Sequence, residues 1–207
     1  MTEEGARAWL ADRLSVPRGT MDRIERFVAL LMAEATQQNL ISASTLPSIW
    51  TRHIVDSAQL ILCAKRPEGR WLDLGSGAGL PGIIIALLTD APVVMVESRR
   101  RRVDFLRAVA EEVGLRNTDI RLARLETLDS FPADTITARA FAPLPRLLEL
   151  AHRFSTKKTL WVLPKGRNAE AELADVAGTW QMMFHVERSV TDDEAKIIVA
   201  QDVRRRR

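Results

Sequence analysis

The stretch from Trp71 to Gly82 leaves a backbone few paths to follow. Trp71 to Leu74 is short and apolar with an acid in third place, glycines stand at 75, 77 and 79, and Ile83 to Leu88 is an unbroken apolar run. That order predicts strand, tight turn, helix, with Pro81 in the helix's first turn. Glycine reaches positive φ and lets a backbone come within van der Waals distance of a ligand, while a helix N-terminus offers unpaired N–H groups. The expected occupant is a small-molecule cofactor.

Gly77-x-Gly79-x-x-Gly82 also satisfies the dinucleotide fingerprint, which alone discriminates poorly. Asp73 is more informative. Its carboxylate, two residues before the first glycine, would repel a diphosphate but attract the ammonium of a methionine moiety. S-adenosylmethionine therefore fits better than NAD.

Around this centre the chain divides in two. In the first part Ile24, Phe27, Val28, Leu31 and Met32 recur at helical spacing. Helices are expected over 5–14 and 20–37, the latter capped by Thr20, and a third opens at Pro47 and runs through Ile61. Residues 1–65 form an all-helical extension, ended by Lys65-Arg66-Pro67-Glu68-Gly69, and residues 66–207 form the cofactor domain. A chain of 207 residues, 46% hydrophobic, suits one domain with such an extension. The longest apolar run is far short of the ~20 residues that span a bilayer, and no leader pattern opens the chain, so a cytoplasmic protein is expected. Cys63 is the sole cysteine and the three histidines are scattered, which predicts neither a disulfide nor a metal.

In the second part, Pro92 to Val96 reads as a buried strand ended by Glu97, 22 residues beyond Gly75. In an open α/β sheet such an acid can take both hydroxyls of a cofactor ribose. Ser98 is placed to cap a helix buried through Val103, Leu106, Val109, Ala110 and Val113 and stopped by Gly114. Strands at 118–123, 134–138, 159–163, 181–189 and 196–202, with helices at 144–153 and 168–177, continue the alternation. The short polar link 191–194 makes the last pair an antiparallel hairpin, so the sheet is mostly parallel with its last strand reversed.

Net charge is only +3, yet positive charge is concentrated in Arg99-Arg100-Arg101-Arg102 and Arg204-Arg205-Arg206-Arg207. Arginine clusters suit phosphate, which points to a nucleic acid. The first tetrad sits in a helix's first turn, the wrong end for cations, so a ligand or nearby acid must compensate or the side chains face solvent. Trp50, Trp71, Trp161 and Trp180 are expected in the core, as is Cys63.

Taken together, Asp73-x-Gly-Ser-Gly-Ala-Gly-Leu-Pro-Gly82, Glu97-Ser98 with its basic run, Phe105-Leu106, Arg139-Ala140-Phe141 and Leu163-Pro164-Lys165-Gly166 resemble the bacterial small-subunit rRNA guanine-N7 methyltransferases of the glucose-inhibited division protein B type. Asn39-Leu40 and Arg52-His53-x-x-Asp56-Ser57 match that family's N-terminal signature, so the resemblance covers nearly the whole chain. It implies a class I S-adenosylmethionine-dependent fold with a seven-stranded Rossmann-like sheet. It also implies methylation of one guanine N7 in 16S rRNA; naked rRNA and an assembling 30S subunit both stay open as the substrate, and a monomer is expected. Cofactor contacts carried over fall on Gly75 and Leu80, on Leu125-Glu126 and on Arg139; Leu125 replaces the smaller residue usual in the family.

With Asp73, Gly77, Gly79 and Glu97 these complete the expected cofactor site. Arg139 is the candidate catalytic residue, its planar fork matching either the cofactor carboxylate or a guanine O6/N7 edge. His53, Arg99, Arg100, Arg101, Lys165, Arg204 and Arg205 are candidate RNA contacts; a buried structural role for His53 and a solvated one for Lys165 are the alternatives. Guanine N7 carries an in-plane lone pair, so transfer needs positioning and desolvation rather than a base. No Pro-Pro-aromatic motif for exocyclic amines follows the fourth strand. A regulatory module binding S-adenosylmethionine or NAD without turnover, and an NAD-dependent oxidoreductase, are the competing readings.

Overall fold

The computed structural model describes residues 1–206. Arg207, the last member of the second tetrad, lies outside them. Seven strands form one sheet in the order β3-β2-β1-β4-β5-β7-β6. They are β1 Trp71–Leu74, β2 Val93–Glu97, β3 Thr118–Leu122, β4 Thr135–Ala138, β5 Leu160–Lys165, β6 Trp180–Arg188 and β7 Lys196–Arg205. β1 pairs in parallel with β2 and β4, β2 with β3, and β4 with β5, whereas β7 runs antiparallel to both β5 and β6. Among the described strands β7 alone is reversed, as the short 191–194 link dictates.

The helices are α1 Glu3–Leu14, α2 Arg18–Glu34, α3 Asp56–Cys63, α4 Gly82–Leu88, α5 Arg100–Glu112, α6 Leu144–Ala151 and α7 Ala169–Val176. Side chains alternate across a strand, and the central strands separate two cores accordingly. Trp71, Val93 and Met95 pack with Ile24, Phe27, Ile83 and Leu106 on one face. Leu72, Leu74, Val94 and Val96 pack with Leu147, Leu148, Phe154 and Trp161 on the other. Trp50, Trp71, Trp161 and Trp180 are all buried. No described helix is long and apolar enough to cross a membrane.

Several expected boundaries move. α2 begins at Arg18 with Pro17 as its N-cap, so Thr20 lies inside the helix; a proline needs no N–H partner at that position. α5 starts after Arg99, and Ser98 does not cap it: the backbone N–H of Arg99 donates instead to Glu97 Oε1 at 2.8 Å. The helix expected from Pro47 is three pieces, a 3₁₀ segment Ala43–Ser48, a π-helical turn Trp50–Val55 and then α3. Wide π turns inside helices mark functional sites more often than chance, and this one carries Arg52 and His53.

Candidate active site

The carboxyl ends of β1, β2 and β4 meet at two adjoining cavities. The smaller, about 450 Å³, is lined by Gly75, Glu97, Ser98, Arg99, Arg102, Ala123, Leu125, Glu126, Ala140 and Phe141. Its size falls within the ~300–1,000 Å³ usual for small-molecule sites. Gly75 has φ +67°, and a Cβ there would lie 2.5 Å from Phe141 Cδ2. The turn thus needs glycine both for its conformation and for the aromatic ring that closes over it. Gly79 repeats the logic against Ile83.

Glu97 is buried at the far wall. Its Oε2 accepts from Gly77 N–H at 3.1 Å and its Oε1 from Arg99 N–H, while Arg102 Nη1 stands 3.7 Å away. Oε1 also accepts from the Ser98 hydroxyl at 3.5 Å; of the about four acceptor positions of an ionised carboxylate one then remains for a ligand hydroxyl, and a second where the long Ser98 bond gives way. Arg102 is the tetrad member turned inward; its Nη2 also donates to the Asn39 carbonyl at 3.2 Å. Arg99, Arg100 and Arg101 are exposed, with Arg100 paired to Asp104 four residues on, so solvent and local acids answer the charge at the helix start.

Asp73 lines neither cavity. It is fully buried on the α4 face, where Oδ2 accepts from Gly82 N–H at 3.2 Å and occupies the helix's first amide, while Oδ1 has no partner. Burial pushes its pKa up to about 6 against the opposing pull of its hydrogen bonds. A cationic ligand beside the glycine turn would offset that buried negative charge. Leu80 is buried in the same core.

The larger cavity, about 990 Å³, brings Arg52, His53, Asp56, Arg139, Lys165, Arg167, Glu172 and Asp192 together and shares Ala140 and Phe141 with the smaller one. Those two residues therefore form the partition. Ala140 has φ +50°, a conformation costly for a residue with a Cβ and typical of functional sites. Lys165 Nζ donates to Glu172 Oε2 at 2.8 Å, and the same oxygen accepts Leu144 N–H, so the lysine braces the partition loop from below. Burial first, then Arg139 and Arg52, drive the His53 pKa down to about 3. The Cys63 thiol, pushed by burial up to about 11, supplies no thiolate.

Arg204 and Arg205 lie apart from all this. They pair with Gln181 and Trp180 at the start of β6, which is the amino edge of the parallel strands. Arg205 is engaged by Glu149 and by the face of Trp180. Arg102, Phe141 and Glu172 join the site without having been expected there: one arginine among four and a helical glutamate carry no distinguishing pattern, and Phe141 stood only as the last residue of the Arg139-Ala140-Phe141 motif. Among the described residues no cluster of His, Cys, Asp and Glu could hold a metal.

The fold is similar to that of a putative O-methyltransferase from Klebsiella pneumoniae, with a TM-score of 0.64 at 15% identity over 94% of this chain and 95% of that one. It is also similar to M. jannaschii TYW2 in complex with AdoMet, with a TM-score of 0.58 at 13% identity over 74% and 76%. In sequence, the chain is 56% identical over its whole length to the ribosomal RNA small subunit methyltransferase G of Rhizorhabdus wittichii, covering 95% of that protein. It is 54% identical to that of Sphingopyxis alaskensis over 95% of this chain and 85% of the relative. A family profile describing rRNA small subunit methyltransferase G matches residues 20–198. With its glycine turn, its acid at the end of β2 and its partitioned double cavity, the chain belongs to the rRNA small subunit methyltransferase G family.

Proposed function

We propose that the protein transfers a methyl group from S-adenosylmethionine to N7 of a guanine in 16S rRNA. The observation that carries this reading is the pair of cavities meeting at the Ala140–Phe141 partition, one with the size and acid of a nucleoside site, the other large and rimmed by arginines. Glu97 would take the ribose hydroxyls. Gly75, Gly77, Gly79 and Leu80 would shape the turn against the cofactor, and Leu125 and Glu126 would border its base. Asp73 would act through its buried charge, from behind the glycine turn. When bound, S-adenosylmethionine supplies an electrophilic methyl group.

The protein's own task is then to orient the guanine and exclude water, because N7 already offers its lone pair. The side chains agree with that task. His53 has its Nδ1 occupied by Arg139 and a strongly lowered pKa, so it is no base. Arg139 lines the larger cavity and would bind the guanine edge or an adjacent anion with the N–H groups that Asp56, Arg52 and His53 leave free.

Residues 1–65 would form the substrate-facing extension, contributing Arg52, His53 and Asp56, and 66–207 the cofactor domain. RNA would approach over Arg99, Arg100 and Arg101. The protein would act as a monomer in the cytoplasm, on 16S rRNA that is free or in an assembling 30S subunit.

Transfer of labelled methyl to undermethylated small-subunit RNA, followed by nucleoside mass spectrometry, tests the reaction. The expected product is 7-methylguanosine, with a single-turnover rate nearly flat between about pH 6.5 and 9. Binding of S-adenosylmethionine without transfer would favour a regulatory module. A product methylated elsewhere would overturn the N7 assignment.

A further inference from the structure

Arg139 leaves the carboxyl end of β4 and reaches the N-terminal helices, where three groups hold its guanidinium. Nη1 donates to Asp56 Oδ2 at 3.2 Å and to the Arg52 carbonyl at 3.3 Å, and Nη2 lies 2.9 Å from His53 Nδ1. On the other side of the ring, His53 Nε2 lies 2.8 Å from Thr45 Oγ1, which in turn donates to the Ser42 carbonyl at 2.7 Å.

The direction of every proton follows. A guanidinium has donors only and keeps its protons, so His53 Nδ1 must present a lone pair. The ring proton then sits on Nε2 and points to Thr45. Thr45 spends its own hydroxyl proton on Ser42, leaving a lone pair for His53. Donation runs one way, from Arg139 through His53 and Thr45 to a backbone carbonyl.

We infer that His53, in its Nε2–H tautomer, is a positioning residue that fixes the orientation of the Arg139 guanidinium at the substrate cavity. Histidine suits the place because it carries an acceptor and a donor on opposite sides of one rigid ring. A second carboxylate would also accept from Arg139, but Asp56 already balances the guanidinium, and another negative charge would turn the cluster net negative and repel an anion or the electron-rich guanine edge. A neutral acceptor orients the guanidinium and adds no negative charge.

The charged groups around the ring reinforce this state. Arg139 and Arg52 both oppose an imidazolium, Asp56 lies beyond the Arg139 fork, and Asp192 is bound to Arg52. Burial acts in the same sense, so the chain of donors persists across the neutral pH range.

The inference rests on the proposed role of Arg139 at the reaction site, and two variants separate it from a packing role. His53→Asn places an amide oxygen near the Nδ1 position and keeps the acceptor for Arg139. His53→Gln reaches the Nε2 position and keeps only the link toward Thr45. We expect kcat/KM for methyl transfer to fall by about tenfold or more in His53→Gln and to stay within about threefold of wild type in His53→Asn. In an Arg139→Ala background the His53→Gln change should cost almost nothing further, since the two act as one unit.

Imidazole nitrogen NMR reads the same geometry without activity. In the wild type Nε2 should be protonated and Nδ1 bare from about pH 5 to 8, and the Arg139 Nη protons should be protected from exchange in wild type and His53→Asn but not in His53→Gln. A proton on Nδ1, equal losses in the two variants, or effects that add in the Arg139→Ala background would overturn the inference. An inactive wild type with the tautomer and the protected Arg139 protons intact would count against the assigned reaction and support the positioning role.

Discussion

The two edges of the sheet use the same kinds of residue in opposite ways. At the carboxyl edge charged and polar groups are buried and shared: Asp73, Glu97 and His53 are each less than a tenth exposed, and each binds a backbone amide or another buried group. The backbone there carries positive φ at Gly75, Gly77, Gly79 and Ala140. At the amino edge Arg66, Asp134, Arg204 and Arg205 are largely solvated and pair with nearby surface acids or bases. The cavity between Lys65, Arg66, Asp134 and Lys158 is about 190 Å³. Burial, more than residue type, decides whether a charge serves chemistry or solubility. Surface pairs contribute little, whereas a buried charge must be answered by something specific.

The largest expected effect comes from the two buried titratable groups at the carboxyl edge, which oppose each other. Burial lowers His53 from 6.5 to about 3, so the unfolded chain binds its proton first as pH falls, and this group's contribution to stability is lost below pH 6.5. Asp73 is raised from 3.8 to about 6, so the native state holds its proton while the unfolded chain has released it, and stability falls as pH rises through that window. Between about pH 4 and 6 the two slopes cancel. Asp73→Asn removes one of them and should unmask the other. Relative to wild type, its unfolding free energy should drop by roughly 3 kcal/mol more on acidification from about pH 6 to 4. Parallel denaturant curves for the two proteins across that range would show that Asp73 is not a buried charge.

Next in size is cofactor affinity. Glu97→Ala removes the ribose acceptor and also releases the Gly77 and Arg99 amides, and should weaken S-adenosylmethionine binding by about 1–3 kcal/mol, or roughly 5- to 150-fold. Asp134→Ala is the amino-edge counterpart: its carboxylate accepts Arg70 N–H at 2.9 Å and pairs with Arg66, far from either cavity. Calorimetry should find its cofactor affinity equal to wild type. A reduction matching that of Glu97→Ala would mean that the two edges are coupled through β1 and β4.

How much of this was legible in the sequence divides along the same line. The alternation of the strands, the glycine turn and the acid ending β2 are local patterns, and each is where the residues placed it. The antiparallel return of β7 followed from a four-residue link. The helix expected from Pro47 is instead 3₁₀, π and α pieces, and Arg52, His53 and Asp56 within them bond to Arg139, more than eighty residues away in sequence, which no local pattern reveals. Nor does any periodicity reveal that Arg102 turns inward while Arg99, Arg100 and Arg101 face water, or that Lys165 is bound to Glu172. The tail arginines are candidate RNA contacts by composition alone; their place at the opposite edge depends on the direction of β7.

That placement yields the smallest expected effect. RNA association releases counterions, and the log–log salt slope changes by about 0.7 for each single-strand phosphate that is no longer neutralised. Arg99→Gln with Arg101→Gln removes two exposed cations from the start of α5, the first of them lining the cofactor cavity, and should reduce the slope by about 1.4. Arg204→Gln with Arg205→Gln should reduce it by less than about 0.7, since Arg205 is engaged by Glu149 and Trp180 and Arg204 by Asp202. Methyl-transfer kcat should be untouched in this second pair, because neither residue approaches the cavities. Filter binding of small-subunit RNA over a range of potassium concentrations measures both slopes. Equal reductions would mean that the RNA wraps from one edge of the sheet to the other, and the division between a working carboxyl edge and a merely solvated amino edge would fall.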